Sequence, residues 1–182
     1  MVRFFDIFIS LIGLAILSPV FFIVTIILFI EYRSPFFLQK RVGLNQKIFT
    51  IYKFRSMPLC TEDMPTHLIN PRNISKIGRS IRAAKIDELP QLFNVLIGDM
   101  SLVGPRPCLL NQKDLIKERS LSAIFTFKPG ITGLAQINNI DMLDPTLLTE
   151  FDRKMIDEFS LKKYFYYIIM TIFGKGVSDK IR

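Results

Sequence analysis

The sequence has no tryptophan and only one histidine, His67, in 182 residues. A histidine-based triad would rest wholly on that residue. It lies in TEDMPTHLINPRN, a polar stretch with two prolines that reads as a surface loop. There are two cysteines, Cys60 and Cys108, and no CxxC pair. They make neither a zinc set nor a disulfide framework, and they suit a reducing, cytoplasmic compartment. Internal repeats and low-complexity tracts are absent. Acidic residues are scarce: 16 Asp and Glu stand against 24 Lys and Arg, for a net charge of +8 and a pI of about 9.6. That balance points to a polyanionic partner, namely nucleic acid, an anionic membrane face or a phosphorylated substrate. The length suits one domain with its own core.

Charge is missing altogether from the 24 residues between Asp6 and Glu31, IFISLIGLAILSPVFFIVTIILFI. About 20 apolar residues span a bilayer as a helix. The run is too long for a signal-peptide core, and EYRSPFF, which follows it, offers no small-residue cleavage site. A retained membrane helix is expected. Ser18-Pro19 splits the run into two stretches of 11 residues, and proline removes a backbone donor there. One reading is a kinked spanning helix. The other is a re-entrant helix that dips in and returns to the same face, each half reaching about 16 Å. Arg3 precedes the run and Arg33, Lys40 and Arg41 follow it, which suits two cytoplasmic ends.

Beyond the run, Phe36–Gln39 and Lys47–Phe54 read as a β-hairpin turned at Gly43 and Asn45. Lys53 and Arg55 alternate with Tyr52 and Phe54, which gives one strand a basic edge. KIGRSIRAAK reads as a short basic helix, and Asp87–Ile97 as a helix closed by Gly98. GDMSLVGPRP and FKPGITGLAQINN read as loops, NQKDLIKERSL as an exposed helix. Pro145–Glu158 and Leu161–Phe173 close the chain as helices, the last rich in Tyr, Phe and Ile.

Three stretches carry chemistry. In KIDELPQL two carboxylates, Asp87 and Glu88, are adjacent. Asp87 reads equally as a helix N-cap with Glu88 in the first turn, where Pro90 is tolerated. The same geometry suits a phosphate, and paired carboxylates can hold a hard cation such as Mg²⁺. Arg82 and Lys85 lie just upstream, so the group suits phosphoryl transfer. In GPRP two prolines stiffen the loop that presents Arg106; the plain alternative is a turn with an exposed arginine. In KPGITGLAQIN, Gly130 and Gly133 permit close backbone approach, and Gln136 and Asn138 are candidates to bind a base or sugar.

These stretches, behind this apolar segment, resemble the bacterial sugar transferases, the monotopic phosphoglycosyl transferases. The resemblance is carried by Ser18-Pro19, GLNQKIFTIYKFRSM, IRAAKIDELPQLFNVLIGDMSLVGPRP and KPGITGLAQIN, and runs over nearly the whole chain. It implies an α+β, mostly helical fold: a re-entrant membrane helix over residues 1–33, with its break at Ser18-Pro19, then one small cytoplasmic catalytic domain over residues 34–182 with a short β-hairpin and interfacial helices. It implies transfer of a phosphosugar from a UDP-sugar to polyprenol phosphate, with Mg²⁺, releasing UMP. Asp87 is then the nucleophile and Glu88 a Mg²⁺ ligand. Arg82 serves the polyprenol phosphate, Arg106 binds phosphate, Lys53 sits near the dyad, and Asp152 matches a family Asp near the C-terminus. The implied partners are the UDP-sugar, the polyprenol phosphate and the bilayer, not nucleic acid. The implied place is the cytoplasmic face of a bacterial inner membrane.

The chain departs from the family pattern in places. Ile140 stands where the family often has arginine, Lys128 replaces an arginine and so loses its planar fork, and Met155 occupies a common tyrosine position. A membrane-anchored basic binding module and an inactive relative are the rival readings.

Overall fold

The structure is a computed structural model that describes residues 1–58 and 74–176. The expected loop around His67, with Cys60, lies outside the described residues.

Helix α1 runs unbroken from Val2 to Tyr32 with Pro19 inside it. Proline at 19 has no N–H to give the carbonyl of Ala15 four residues back. Ser18 Oγ donates to that carbonyl instead, at 2.8 Å. The Ser-Pro pair thus removes one backbone donor and supplies a side-chain one, as apolar surroundings require. Among the described helices α1 alone is long and apolar enough to cross a membrane. Phe4, Phe8, Ile16, Phe22, Ile23 and Ile30 point outward from it. Its two ends rest on the same domain. Arg3 donates to the carbonyls of Val95 and, at 2.7 Å, Leu96, and Tyr32 Oη lies 2.7 Å from Ser75 Oγ.

The expected hairpin is present, with its first strand running on to Val42 and its second beginning at Ile48. β1 (Phe36–Val42) and β2 (Ile48–Phe54) pair antiparallel from Phe36↔Phe54 to Val42↔Ile48. Asn45 and Gln46 take left-handed φ of 51° and 58° in the turn. α2 (Lys76–Ala83) is capped by Ser75 Oγ, which accepts from the Gly78 amide. A 3₁₀ turn over Ile86–Glu88 leads into α3 (Gln91–Ile97), ended by Gly98 at φ 106°.

Both segments expected as plain loops contain strands. β3 (Ser101–Val103) pairs in parallel with β5 (Gly130–Thr132), and β4 (Cys108–Leu109) adds to the free edge of β1. The Gly/Pro punctuation marked turns, but the three-residue segments Ser101–Val103 and Gly130–Thr132 find each other across the fold. A short helix α5 (Leu134–Ile137) follows β5. α4 (Lys113–Leu121), α6 (Pro145–Asp157) and α7 (Leu161–Ile172) complete the domain. α4 is exposed only in part, because Leu115 and Arg119 are buried.

Three apolar clusters hold these elements. Val95, Met100, Tyr164 and Tyr167 lie in one, with Val2, Phe5 and Ile9 of α1 packed on it. Leu115, Phe125, Cys108 and Leu148 form the second, which Ile140 joins at its edge; Ile140 therefore serves packing here. Met155 is buried in the first cluster and fills its position as a core side chain. The third sets Val24, Leu28 and Tyr32 of α1 against Phe54 and Ile81.

Candidate active site

Asp87 is not a helix N-cap. Lys85 takes a left-handed φ of 56° after α2, and the chain then closes a 3₁₀ turn, with the Leu89 amide donating to the Ile86 carbonyl at 3.1 Å. Pro90 takes the N-cap position of α3 instead, with no side-chain capping bond. Asp87 is consequently inside the tight turn and only 3% exposed.

Glu88 faces two cations from distant segments. Arg106 Nη2, from the loop after β3, lies 2.9 Å from Glu88 Oε1, and Lys53 Nζ, on β2, lies 3.4 Å from the same oxygen. All three side chains are largely buried, where charge interactions are stronger than in water. A small cleft opens beside them, lined among others by Arg41, Gln91 and Ile131. Arg82 stands in the last turn of α2, with Nη1 3.5 Å from Ser56 Oγ. Lys85 Nζ donates to the Lys175 carbonyl at 2.9 Å. Burial lowers the Lys85 pKa; Glu88 opposes that and Arg106 adds to it.

The Pro-Arg-Pro loop is held by its backbone. Arg119 Nη1 donates to the Arg106 carbonyl at 2.6 Å. Arg41 Nη1 donates to the Pro107 carbonyl at 3.0 Å, and Gln39 Oε1 accepts from Arg41 Nε and Nη2 at 3.0 and 2.6 Å. Gly104 and Gly130 touch backbone to backbone: a Cβ on Gly130 would sit 2.0 Å from the Gly104 nitrogen.

The structure thus gathers Glu88, Lys53 and Arg106, with Asp87 next to Glu88 in the same turn and Arg82 in the helix before it. Gln136 and Asp152 are placed behind them. Gln136 Nε2 donates to the Gly104 carbonyl at 3.1 Å. Asp152 is wholly buried and accepts from Arg119 Nη2 at 2.5 Å. Burial raises the Asp152 pKa, against the pull of Arg119. Sequence reasoning did not single out Arg119 or Gln39, and saw Arg41 only as a flanking positive charge. A weak signal existed: Leu115 and Arg119 stand four apart on one helical face.

Among the described residues no group of three or more His, Cys, Asp or Glu is gathered for a metal. Mg²⁺ seldom uses such a cage; it takes one or two carboxylates and completes its shell with water and phosphate oxygens. The adjacent carboxylates of Asp87 and Glu88 are hard-oxygen donors of that kind.

A family model described as bacterial sugar transferase matches residues 1–176. The chain is 37% identical over 181 residues to an uncharacterized sugar transferase of Bacillus subtilis, covering 99% of this chain and 89% of that one. It is 35% identical to a UDP-glucose:undecaprenyl-phosphate glucose-1-phosphate transferase of Klebsiella pneumoniae, over 98% of this chain and 40% of that protein. It is 36% identical to a UDP-N-acetylgalactosamine-undecaprenyl-phosphate N-acetylgalactosaminephosphotransferase of Aeromonas hydrophila, over 87% and 40%. The chain thus spans about two-fifths of the length of the latter two relatives.

Proposed function

The chain belongs to the bacterial sugar transferase family, and on that premise we propose that it moves a sugar phosphate from a UDP-sugar to polyprenol phosphate at a membrane surface. The carrying observation is the meeting of Glu88 with Lys53 and Arg106 beside Asp87. Two carboxylates next to two fixed cations suit a reaction in which anions must approach one another.

In this reading the Asp87 carboxylate attacks the phosphorus that bears the sugar. The bond from that phosphorus to the UMP oxygen breaks, and UMP leaves. A phosphate oxygen of the polyprenol then attacks the same phosphorus and releases Asp87, giving polyprenol-diphosphate-sugar. Splitting the transfer in two lowers the barrier of each half. Arg106 and Lys53 hold the diphosphate oxygens and orient Glu88. Arg82 receives the acceptor phosphate. Glu88 would hold Mg²⁺, which would supply charge neutralisation on the phosphoryl oxygens.

The membrane places the acceptor. Both ends of α1 rest on one domain, which supports a helix that enters and leaves on the same face. α7 turns Tyr164 and Tyr167 inward and Tyr166, Ile169, Ile172 and Phe173 outward, as suits a helix lying in an interface. The lipid-linked phosphate would then meet the site at headgroup depth, on the cytoplasmic face of the inner membrane. Relatives named for glucose and for N-acetylgalactosamine are similarly close, so the donor is sought by a screen. The test is UMP release from a panel of UDP-sugars with undecaprenyl phosphate and Mg²⁺ in detergent. Asp87→Asn abolishes it in this reading; undiminished release from that variant would overturn it.

A further inference from the structure

We propose that Arg119 and Asp152 form a brace that positions Arg106, so that Asp152 serves the reaction through Arg119 and not by touching substrate. The inference rests on the phosphoglycosyl transfer reading of the site.

Arg119 is 1% exposed. A guanidinium taken so far from water is costly unless its charge is met. α6 supplies the charge: Asp152 Oδ2 accepts from Nη2 at 2.5 Å. The other arm, Nη1, donates to the Arg106 carbonyl at 2.6 Å. The planar fork therefore ties α6 to the backbone of the Pro-Arg-Pro loop. Lysine has no such fork and would serve the two partners poorly.

The next carbonyl along is gripped as well. Arg41, on β1, donates to Pro107 O and is oriented by Gln39. Two consecutive carbonyls are thus held from two separate elements, α4 and β1. Pro105 and Pro107 fix φ on either side. Little freedom is left to the Arg106 backbone, and its side chain leaves from a set point toward Glu88 Oε1, 2.9 Å from Nη2. A long side chain magnifies any rotation at its root. A misplacement of about 1 Å at a reacting phosphate costs on the order of 10²-fold in rate. Asp152 is 0% exposed and faces α4 from α6, so a substrate contact would require those helices to part.

The test compares Arg119→Lys and Asp152→Asn with wild type, and each again in an Arg106→Ala background. Melting temperatures in detergent first establish that each variant is folded; Asp152→Asn, which keeps an oxygen acceptor, is the fallback if Arg119→Lys is not. We expect either single change to lower kcat about 10- to 100-fold with a much smaller change in donor KM. In the Arg106→Ala background each adds less than about twofold, because residues acting through one group are not additive. Losses that multiply with Arg106→Ala would overturn the proposal. Hydrogen exchange, which needs no substrate, provides the second readout. Amides of residues 103–110 exchange faster in the variants while those of α3 do not; unchanged exchange in 103–110 also overturns the brace. If wild type releases no UMP from any donor, the transferase reading fails, and the exchange result still decides whether the brace exists.

Discussion

Tyr164 Oη donates to Asp6 Oδ1 at 2.8 Å, joining α7 to the first turns of α1 across 158 residues of chain. The same oxygen accepts from Ser101 Oγ at 3.0 Å and from the Leu102 amide at 2.9 Å. Asp6 is 2% exposed, so a carboxylate at the head of the apolar helix is spent on three donors of the domain. Burial first, and the Asp6 carboxylate second, push the Tyr164 pKa well up. The hydroxyl stays protonated, and donates, at any ordinary working pH.

Replacing Asp6 tests that anchor. Asp6→Ala leaves three donors in a dry site without their acceptor, and is expected to cost about 3–5 kcal/mol of stability. Asp6→Asn keeps an oxygen in place and should cost less. Tyr164→Phe removes one bond to a charged group, about 1.5–3 kcal/mol. Denaturant melts in a fixed detergent rank the three. An Asp6→Ala protein as stable as wild type would show that the helix is held by its other contacts, apolar and polar, without Asp6.

Glu88→Gln separates charge from shape. The amide oxygen still accepts from Arg106, but the charge facing Lys53 and Arg106 is lost, so the fold should change by about 1–3 kcal/mol. The negative charge that would hold Mg²⁺ is gone, and UMP release should fall about 10²- to 10³-fold, the range seen when one stabilising group is removed. Chelating the metal from wild type should give a similar loss and leave the melting temperature in place. Activity that survives chelation would remove Mg²⁺ from the scheme.

The candidate site around Glu88 was legible in the sequence as short, ordered motifs, which the fold brings together at Glu88, Lys53 and Arg106. Asp87-Glu88 and Pro105-Arg106-Pro107 announce charge and stiffness within a few residues. The hairpin was legible from β-prone runs around Gly43 and Asn45. What holds the motifs was not. Arg119 reaches Asp152 over 33 residues and Asp6 reaches Ser101 over 95, and no local periodicity marks such pairs. β3 and β5 are three residues each, too short to show an alternation. The Asp87 cap was misread because a left-handed Lys85 cannot be foreseen from a residue that ordinarily avoids that region.

The contact of Gly104 with Gly130 predicts a severe local effect. A Cβ on Gly130 would lie 2.0 Å from Gly104 N and 2.6 Å from the Val103 carbonyl carbon, both backbone atoms. Relief requires moving the strands, which would stretch the bonds from Gly130 N to Pro105 O and from Gly104 N to Thr132 O, at 2.9 and 2.8 Å. Gly130→Ala should cost about 1–3 kcal/mol or more, and activity should fall further than stability because Arg106 moves with the loop. Paired melts and UMP assays on one preparation check this, and an active, fully stable Gly130→Ala protein would contradict the close approach.

The Ser18-Pro19 pair predicts a change of topology. Pro19→Ala restores the N–H that proline denies to Ala15 O, and with it an uninterrupted helical ladder. A straight helix of 31 residues is about 46 Å long at 1.5 Å per residue, ample for a hydrocarbon core of about 30 Å. Its first turns would then lift from the domain, and Arg3 would leave the Val95 and Leu96 carbonyls. A cysteine at position 2, probed in intact cells with a membrane-impermeant thiol reagent, reads the outcome. With Ser18-Pro19 intact, Val2→Cys should stay unlabelled, since both helix ends stay with the domain. Adding Pro19→Ala should produce a labelled fraction and a matching loss of UMP release. Labelling with Pro19 in place would mean that α1 spans the membrane, and the domain would have to be docked against one end of it only.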